Sequence, residues 1–208
     1  MISEVNYEKS LIINNRQLKY NGIFRADELF STINLAIEER GYEKREKKSE
    51  EIVTEEGRKS YVELRPYKNI TNYFTLMIKI KVNLDKVTEQ LETARGEKKK
   101  YQQGELLITF DAWVLTDYKD RWGMKPWFYF LKGLINKFVY KTPIEAGVQG
   151  ILVSDTAYIY AKVKKMLDSY RPGEERPKKE EEIRKEVEEE LNKEIEAEAK
   201  FLSDNFSA

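Results

Sequence analysis

Two stretches of strict alternation, Tyr73 to Val87 and Glu105 to Asp117, constrain this chain more than any other feature. In the first, Phe74, Leu76, Ile78, Ile80, Val82 and Leu84 fall on one side, and Tyr73, Thr75, Met77, Lys79, Lys81 and Asn83 on the other. In the second, Leu106, Ile108, Phe110, Ala112 and Val114 alternate with Leu107, Thr109, Asp111, Trp113 and Leu115. A period of two sustained this long predicts antiparallel strands with one buried face. Both apolar faces carry even numbers, so opposed residues must sum to an even number. A two-residue turn at Arg95-Gly96 makes that sum odd. A loop of Ala94, Arg95 and Gly96, with Gly96 left-handed, makes it even. The register then sets Ile78 against Ala112, Ile80 against Phe110, Val82 against Ile108, Lys79 against Asp111 and Met77 against Trp113. It also opposes Asp85 and Glu105, like charges that repel, so a bulge is expected around Gln102-Gln103-Gly104.

The flanking segments extend this meander. Arg58 to Tyr67 reads as a third strand, and a connection centred on Asn69 sets Tyr61 beside Met77. The result is an expected row of Tyr61, Met77 and Trp113 on the face away from the core, flanked by Tyr73, Leu107 and Leu115. Tyr42 to Thr54, almost wholly charged, reads as an edge strand, because charge protects edges from mispairing. Leu11 to Ile13 and Gln17 to Phe24 read as strands around a turn at Asn14-Asn15. Ala26 to Arg40 reads as a helix, with acids in its first turn, Gly41 at its end, and a stripe of Leu29, Phe30, Ile33, Ala36 and Ile37. Pro126 opens a basic amphipathic helix that Thr142-Pro143 closes, with Trp127, Phe128, Leu131, Leu134, Ile135, Phe138 and Val139 on one arc. A last body helix runs from about Val148 to Tyr170. Asp155 lies near its apolar stripe and would need a hydrogen-bond partner if buried.

The formal charge is zero, from 37 basic and 37 acidic residues, but it is unevenly spread. Arg171-Pro172-Gly173 and Arg176-Pro177 punctuate the chain. Residues 174–208 carry a net −6 and residues 1–173 a net +6. The expected organisation is a body over 1–170, a Pro/Gly hinge over 171–179 and a charged helical tail over 180–208. In the tail Ile183, Val187, Leu191, Ile195 and Ala199 recur every fourth residue. That stripe is thin, and it predicts a solvated helix; the competing reading is an arm that folds onto a partner or onto the basic body.

The chain has no cysteine and no histidine. Disulfides, thiol and Ser-His-Asp catalysis, His/Cys zinc sites and histidine pH switches are therefore excluded. Asp117-Tyr118-Lys119 near Asp111 resembles half of a metal-dependent nuclease site, but Lys79 already offers Asp111 an ordinary partner. No phosphate loop is present, since Gly147-Val148-Gln149-Gly150 lacks both the spacing and the lysine. No catalytic residue, metal site or cofactor is expected. There is neither a signal peptide nor a run of about 20 apolar residues to span a bilayer, so a cytoplasmic location is the expectation and membrane contact is not.

Strand, helix, antiparallel meander and amphipathic C-terminal helix, over residues 10–142, resemble the helix-grip outline of START/Bet v 1-like domains. That resemblance implies a curved sheet around a long helix, often with an apolar ligand between them. Separately, Phe110-Asp111-Ala112-Trp113, Asp117-Tyr118 and Arg121-Trp122-Gly123-Met124-Lys125-Pro126 resemble archaeal proteins of unknown function. The expectation is an α+β domain, an antiparallel sheet packed against C-terminal helices, acting as a non-enzymatic binding protein. Its partner would be an apolar small molecule between sheet and helix, or a protein on the aromatic sheet face, with Tyr61, Tyr73, Met77, Lys79, Trp113 and Trp127 as the binding residues. The alternative is nucleic-acid binding by the basic body, with the acidic tail as an internal competitor.

Overall fold

The computed structural model describes residues 8–54, 57–94, 97–116, 144–171 and 179–206. Over these described residues it is an α+β architecture, one antiparallel sheet of six strands with three helices. The strands are β1 (Glu8–Phe24), β2 (Glu46–Thr54), β3 (Gly57–Leu64), β4 (Tyr67–Asn69), β5 (Phe74–Ala94) and β6 (Glu97–Thr116). The helices are α1 (Ala26–Glu39), α2 (Ile144–Asp168) and α3 (Glu180–Phe206). The sheet order is β1-β6-β5-β3-β2, with β4 also on β5, so the first strand pairs with the last. The charged β2 takes an edge, as its composition requires. The expected helix over 126–141, with Trp127, lies outside the described residues.

All five expected β5–β6 pairs occur, and Asp85 does face Glu105. Their even-numbered side chains form the core. Leu76, Ile78, Ile80, Val82, Ile108, Phe110 and Ala112 have no accessible surface. α2 covers this face, with Leu152, Ala157, Ile159, Ala161 and Val163 equally buried. α1 packs beside α2 and buries Leu29, Ile33, Ala36 and Ile37. It ends as Gly41 predicts: Gly41 is left-handed (φ 71°), its N–H donates to the Glu38 carbonyl (2.9 Å), and the Tyr42 N–H donates to Ile37 (3.1 Å). These two bonds make a Schellman motif, which satisfies carbonyls that the helix leaves unpaired.

Four local expectations are corrected. The hairpin tip is not a three-residue loop, because Ala94 pairs with Glu97 and only Arg95 and Gly96 lie between them. The parity change is absorbed by a bulge that puts Lys86 and Val87 against Gly104. Lys86 takes the left-handed conformation (φ 52°), where a bulge usually places glycine. Glycines flank it on both neighbouring strands. A Cβ on Gly104 would meet the Asp85 carbonyl oxygen at 2.9 Å, and one on Gly57 the Lys86 carbonyl carbon at 2.9 Å.

The second correction moves Tyr61. It pairs with Asn83, not Met77, and Tyr67 takes the place beside Met77. Leu64 faces Ile80 and Tyr67 faces Met77, so β3 and β4 are one strand interrupted at Arg65-Pro66. Proline has no N–H to donate, but its carbonyl still accepts from Ile78 (3.0 Å). The turn therefore comes later, between Asn69 and Phe74. Third, Asn14-Asn15 is no turn between two strands. β1 runs through it, with two register shifts between Leu11 and Arg16.

Fourth, the tail helix is not free in solvent. α3 lies on α2 and buries Ile183, Val187 and Leu191. Arg184 donates to Ser154 Oγ (2.8 Å), Lys165 pairs with Glu180 (3.3 Å), and Arg16 of β1 pairs with Glu190. A thin stripe suffices because α2 is apolar nearly all round. A helix of that kind needs cover on more than one side.

Candidate functional site

Asp155, on α2, is 4 % exposed and does have partners. Its Oδ2 accepts from Lys68 Nζ (2.9 Å), and Arg40 Nε lies 3.7 Å from Oδ1. The Arg40 guanidinium also sits 3.9 Å from the Tyr158 ring centroid, and Lys68 Nζ 5.2 Å from that of Tyr42. Burial first, then the nearby Asp155 charge, push the Tyr42 phenol well above its ordinary range. This cluster ties the end of α1, strand β4 and α2 together, with one buried carboxylate shared by two cations and, among the described residues, with Arg40 Nε and the Tyr42 hydroxyl buried without a hydrogen bond.

Where α2 meets the centre of the sheet, the packing leaves no void against the side chains with zero exposure. A void able to hold even one water leaves accessible surface on the atoms around it. Seven sheet residues and five of α2 have essentially none.

The opposite sheet face is only partly open, since Thr75, Thr109, Asp111 and Leu115 on it are buried as well. A cross-strand row of Leu11, Trp113, Met77 and Tyr67 runs over β1, β6, β5 and β4. Trp113, Met77 and Tyr67 are half-buried, while Leu11 is 43 % exposed. Tyr73, half-buried, precedes β5 and packs edge-on against Phe74, with ring centroids 5.0 Å apart. Lys9 Nζ lies 4.3 Å, and Lys79 Nζ 4.8 Å, from the Trp113 ring centroid. Each ammonium comes from a strand neighbouring β6.

Two carboxylates organise the cations. Asp111, buried, accepts from the Asn15 N–H (2.9 Å) through Oδ1 and from Lys79 and Lys81 (3.1 Å each) through Oδ2. Burial pushes its carboxyl upward, but these three donors outweigh it and hold it below the ordinary range. Asn15 reaches this position because of its left-handed backbone (φ 56°) in irregular β1. Glu63 accepts from the Tyr61 hydroxyl (2.7 Å) and Arg65 Nε (2.6 Å), and these likewise overcome burial to hold it low. Burial, followed by the bond to Glu63, pushes the Tyr61 phenol up to about 12.

Of the residues expected to form a binding face, Met77, Lys79 and Trp113 come together. Tyr61 lies on the same face at the Glu63–Arg65 end, and Tyr73 lies beyond the start of β5. Trp127 is outside the described residues, as are Asp117 and Lys119. Sequence reasoning missed Leu11, Tyr67 and Lys9. The alternation of Lys9 and Leu11 was readable, but their neighbours depend on the long-range pairing of β1 with β6.

Toward the bulge the same face has a shallow pocket of about 530 Å³, lined by Lys19, Asn21, Asn83, Asp85, Glu105 and Leu107. The opposed carboxylates are relieved by Lys59 on Asp85 (3.2 Å) and Lys86 on Glu105 (3.0 Å). Among the described residues, no group of three or more acidic side chains is placed to hold a metal, and no helix is long and apolar enough to cross a membrane. No family model, curated protein or solved structure matches the chain.

Proposed function

We propose that the chain is a non-enzymatic binding protein whose working surface is the sheet face opposite the helices, with another protein as its partner. The observation that carries this reading is the row of Leu11, Trp113, Met77 and Tyr67, which remains half-open while the other face of the same strands is closed. Half-buried aromatic and methionine side chains on a stiff sheet are the usual material of interface cores. The packed walls speak against an apolar ligand between the sheet and α2, and the helix expected over 126–141 lies outside the described residues.

The tail's placement also bears on nucleic-acid binding. Glu190 and Glu194 pair with Arg16, whereas Lys79 and Lys81 on the open face are held by Asp111. The ion pairs described for the tail are therefore not with the lysines nearest Trp113, which weakens its role as their competitor.

The test places a photo-crosslinking residue at Leu11 and compares covalent partners in wild type and Trp113→Ala. A discrete partner whose affinity falls about 30-fold or more in Trp113→Ala supports the reading, since a buried aromatic anchor is worth about 2 kcal/mol or more. Crosslinks that are diffuse, or unchanged in the variant, rule it out.

A further inference from the structure

The charges around Trp113 do not close on themselves. Among the described residues, the ion pairs of Arg65, Lys79 and Lys81 run to two carboxylates, Glu63 and Asp111. Asp111 has already divided one oxygen between two lysines, and Glu63 is engaged by Arg65 and Tyr61. Among the described residues Lys9 makes no ion pair; its ammonium rests over the Trp113 ring. Among the described residues this cluster thus holds two more cations than the carboxylates paired with it, on a half-buried face where water screens charge less than at an open surface.

We infer that the Lys9 and Lys79 ammoniums beside Trp113, with Arg65 at the Glu63 end of the same face, form a site for a phosphate group, either inorganic phosphate or a phosphate monoester. The stoichiometry fits. A phosphate monoester carries about −1.5 to −2 charges near neutral pH, which matches the surplus, whereas a carboxylate supplies only one. The donor set fits as well, because ammonium and guanidinium groups make charge-assisted bonds to phosphate oxygens. Lys9 lies on an exposed part of β1 and can turn from the indole to an anion, whereas Lys79 is held by Asp111. The Lys9 ammonium is also pushed below its ordinary range, by burial first and then by the Lys79 and Arg65 charges. An anion at this position would relieve both.

This inference uses the same sheet face as the binding role, but it needs no protein partner, so either can fail without the other. The experiment follows the Trp113 indole N–H by NMR, assigned by its loss in Trp113→Phe, in the full chain. Inorganic phosphate and glycerol phosphate are titrated at constant ionic strength against sodium chloride. The expected result is a saturable shift of the Trp113 signal with either compound, weakened about tenfold in Lys9→Gln and unchanged in Lys19→Gln. Lys19 is an exposed lysine ten residues further along β1, opposite Leu107, and Lys9→Gln removes no described ion pair, so the remaining resonances report an intact fold. A linear shift, an equal shift with chloride, or the same affinity in Lys9→Gln overturns the site. Binding of a ten-residue oligothymidylate with no response to the small phosphates also overturns it, since polyelectrolyte attraction alone would explain that outcome.

Discussion

The two faces of β5 and β6 share a backbone, a register and a length, yet they differ in nearly everything else. The even-numbered face is aliphatic and aromatic and closed by α2 at zero exposure. The odd-numbered face carries Trp113 and Met77 among lysines held by Asp111. A sheet that needed only solubility could place Thr, Lys and Glu on its second face. Keeping an indole there under two ammoniums, with a buried aspartate beneath the lysines, costs desolvation that packing alone does not require. The contrast separates what holds the fold from what is available to bind.

The largest expected effect tests that separation on one strand. Phe110→Ala should lower unfolding free energy by about 3–5 kcal/mol through a core cavity, while Leu107→Ala on the open face should cost less than about 1 kcal/mol. Chemical denaturation measures both, and equal losses would mean that the two faces do not differ. Asp155→Ala comes next, at about 3–5 kcal/mol, because Lys68 and Arg40 are left beside an empty acceptor position. A loss below about 1 kcal/mol would show that the cluster is solvated and contributes little to the closed side.

Leu191→Ala should cost about 2 kcal/mol if α3 is a true outer layer of that closed side. No change in the thermal midpoint would return the tail to solvent. The smallest effect belongs to the open face and appears only in acid. The folded Asp111 carboxyl is held below its unfolded value of about 3.9, so its contribution is complete above that pH and is lost as pH falls through the folded value. Asp111→Asn should therefore flatten the acid limb of the stability profile below about pH 4, while leaving its shape near pH 7 unchanged. An unaltered acid limb would remove Asp111 as the organiser of the lysines.

The fold was legible where a physical rule acts locally. Alternation and parity identified the buried face and the β5–β6 pairs, and Gly41 marked the end of α1. Reading failed where one residue changes a count. Pro66 looks like the end of a strand, but only an N–H is missing there, so β4 resumes in the same register and displaces Tyr61 from Met77. The docking of α3 stood in the sequence only as the competing reading, for a different reason: its stripe is as thin as it appears, and the apolar surface that receives it belongs to α2. The cluster around Trp113 was half legible. Lys79 and Asp111 follow from parity, whereas Lys9 arrives through β1 pairing over a separation of about 100 residues.

The bulge at Lys86 also divides the long hairpin into two reading frames. From Phe74 to Asp85, opposed residues sum to one total, and from Thr88 to Ala94 to a total one higher. The core pairs from Leu76 to Leu84 lie within the first frame, and the pairs nearest the tip lie within the second. A one-residue insertion between Ala94 and Glu97, coupled with loss of Lys86, would return the hairpin to a single frame without moving any core pair. Changes in loop length at the tip can thus be absorbed at the bulge, which leaves that end of the molecule free to vary while the pairing beneath Trp113 stays fixed.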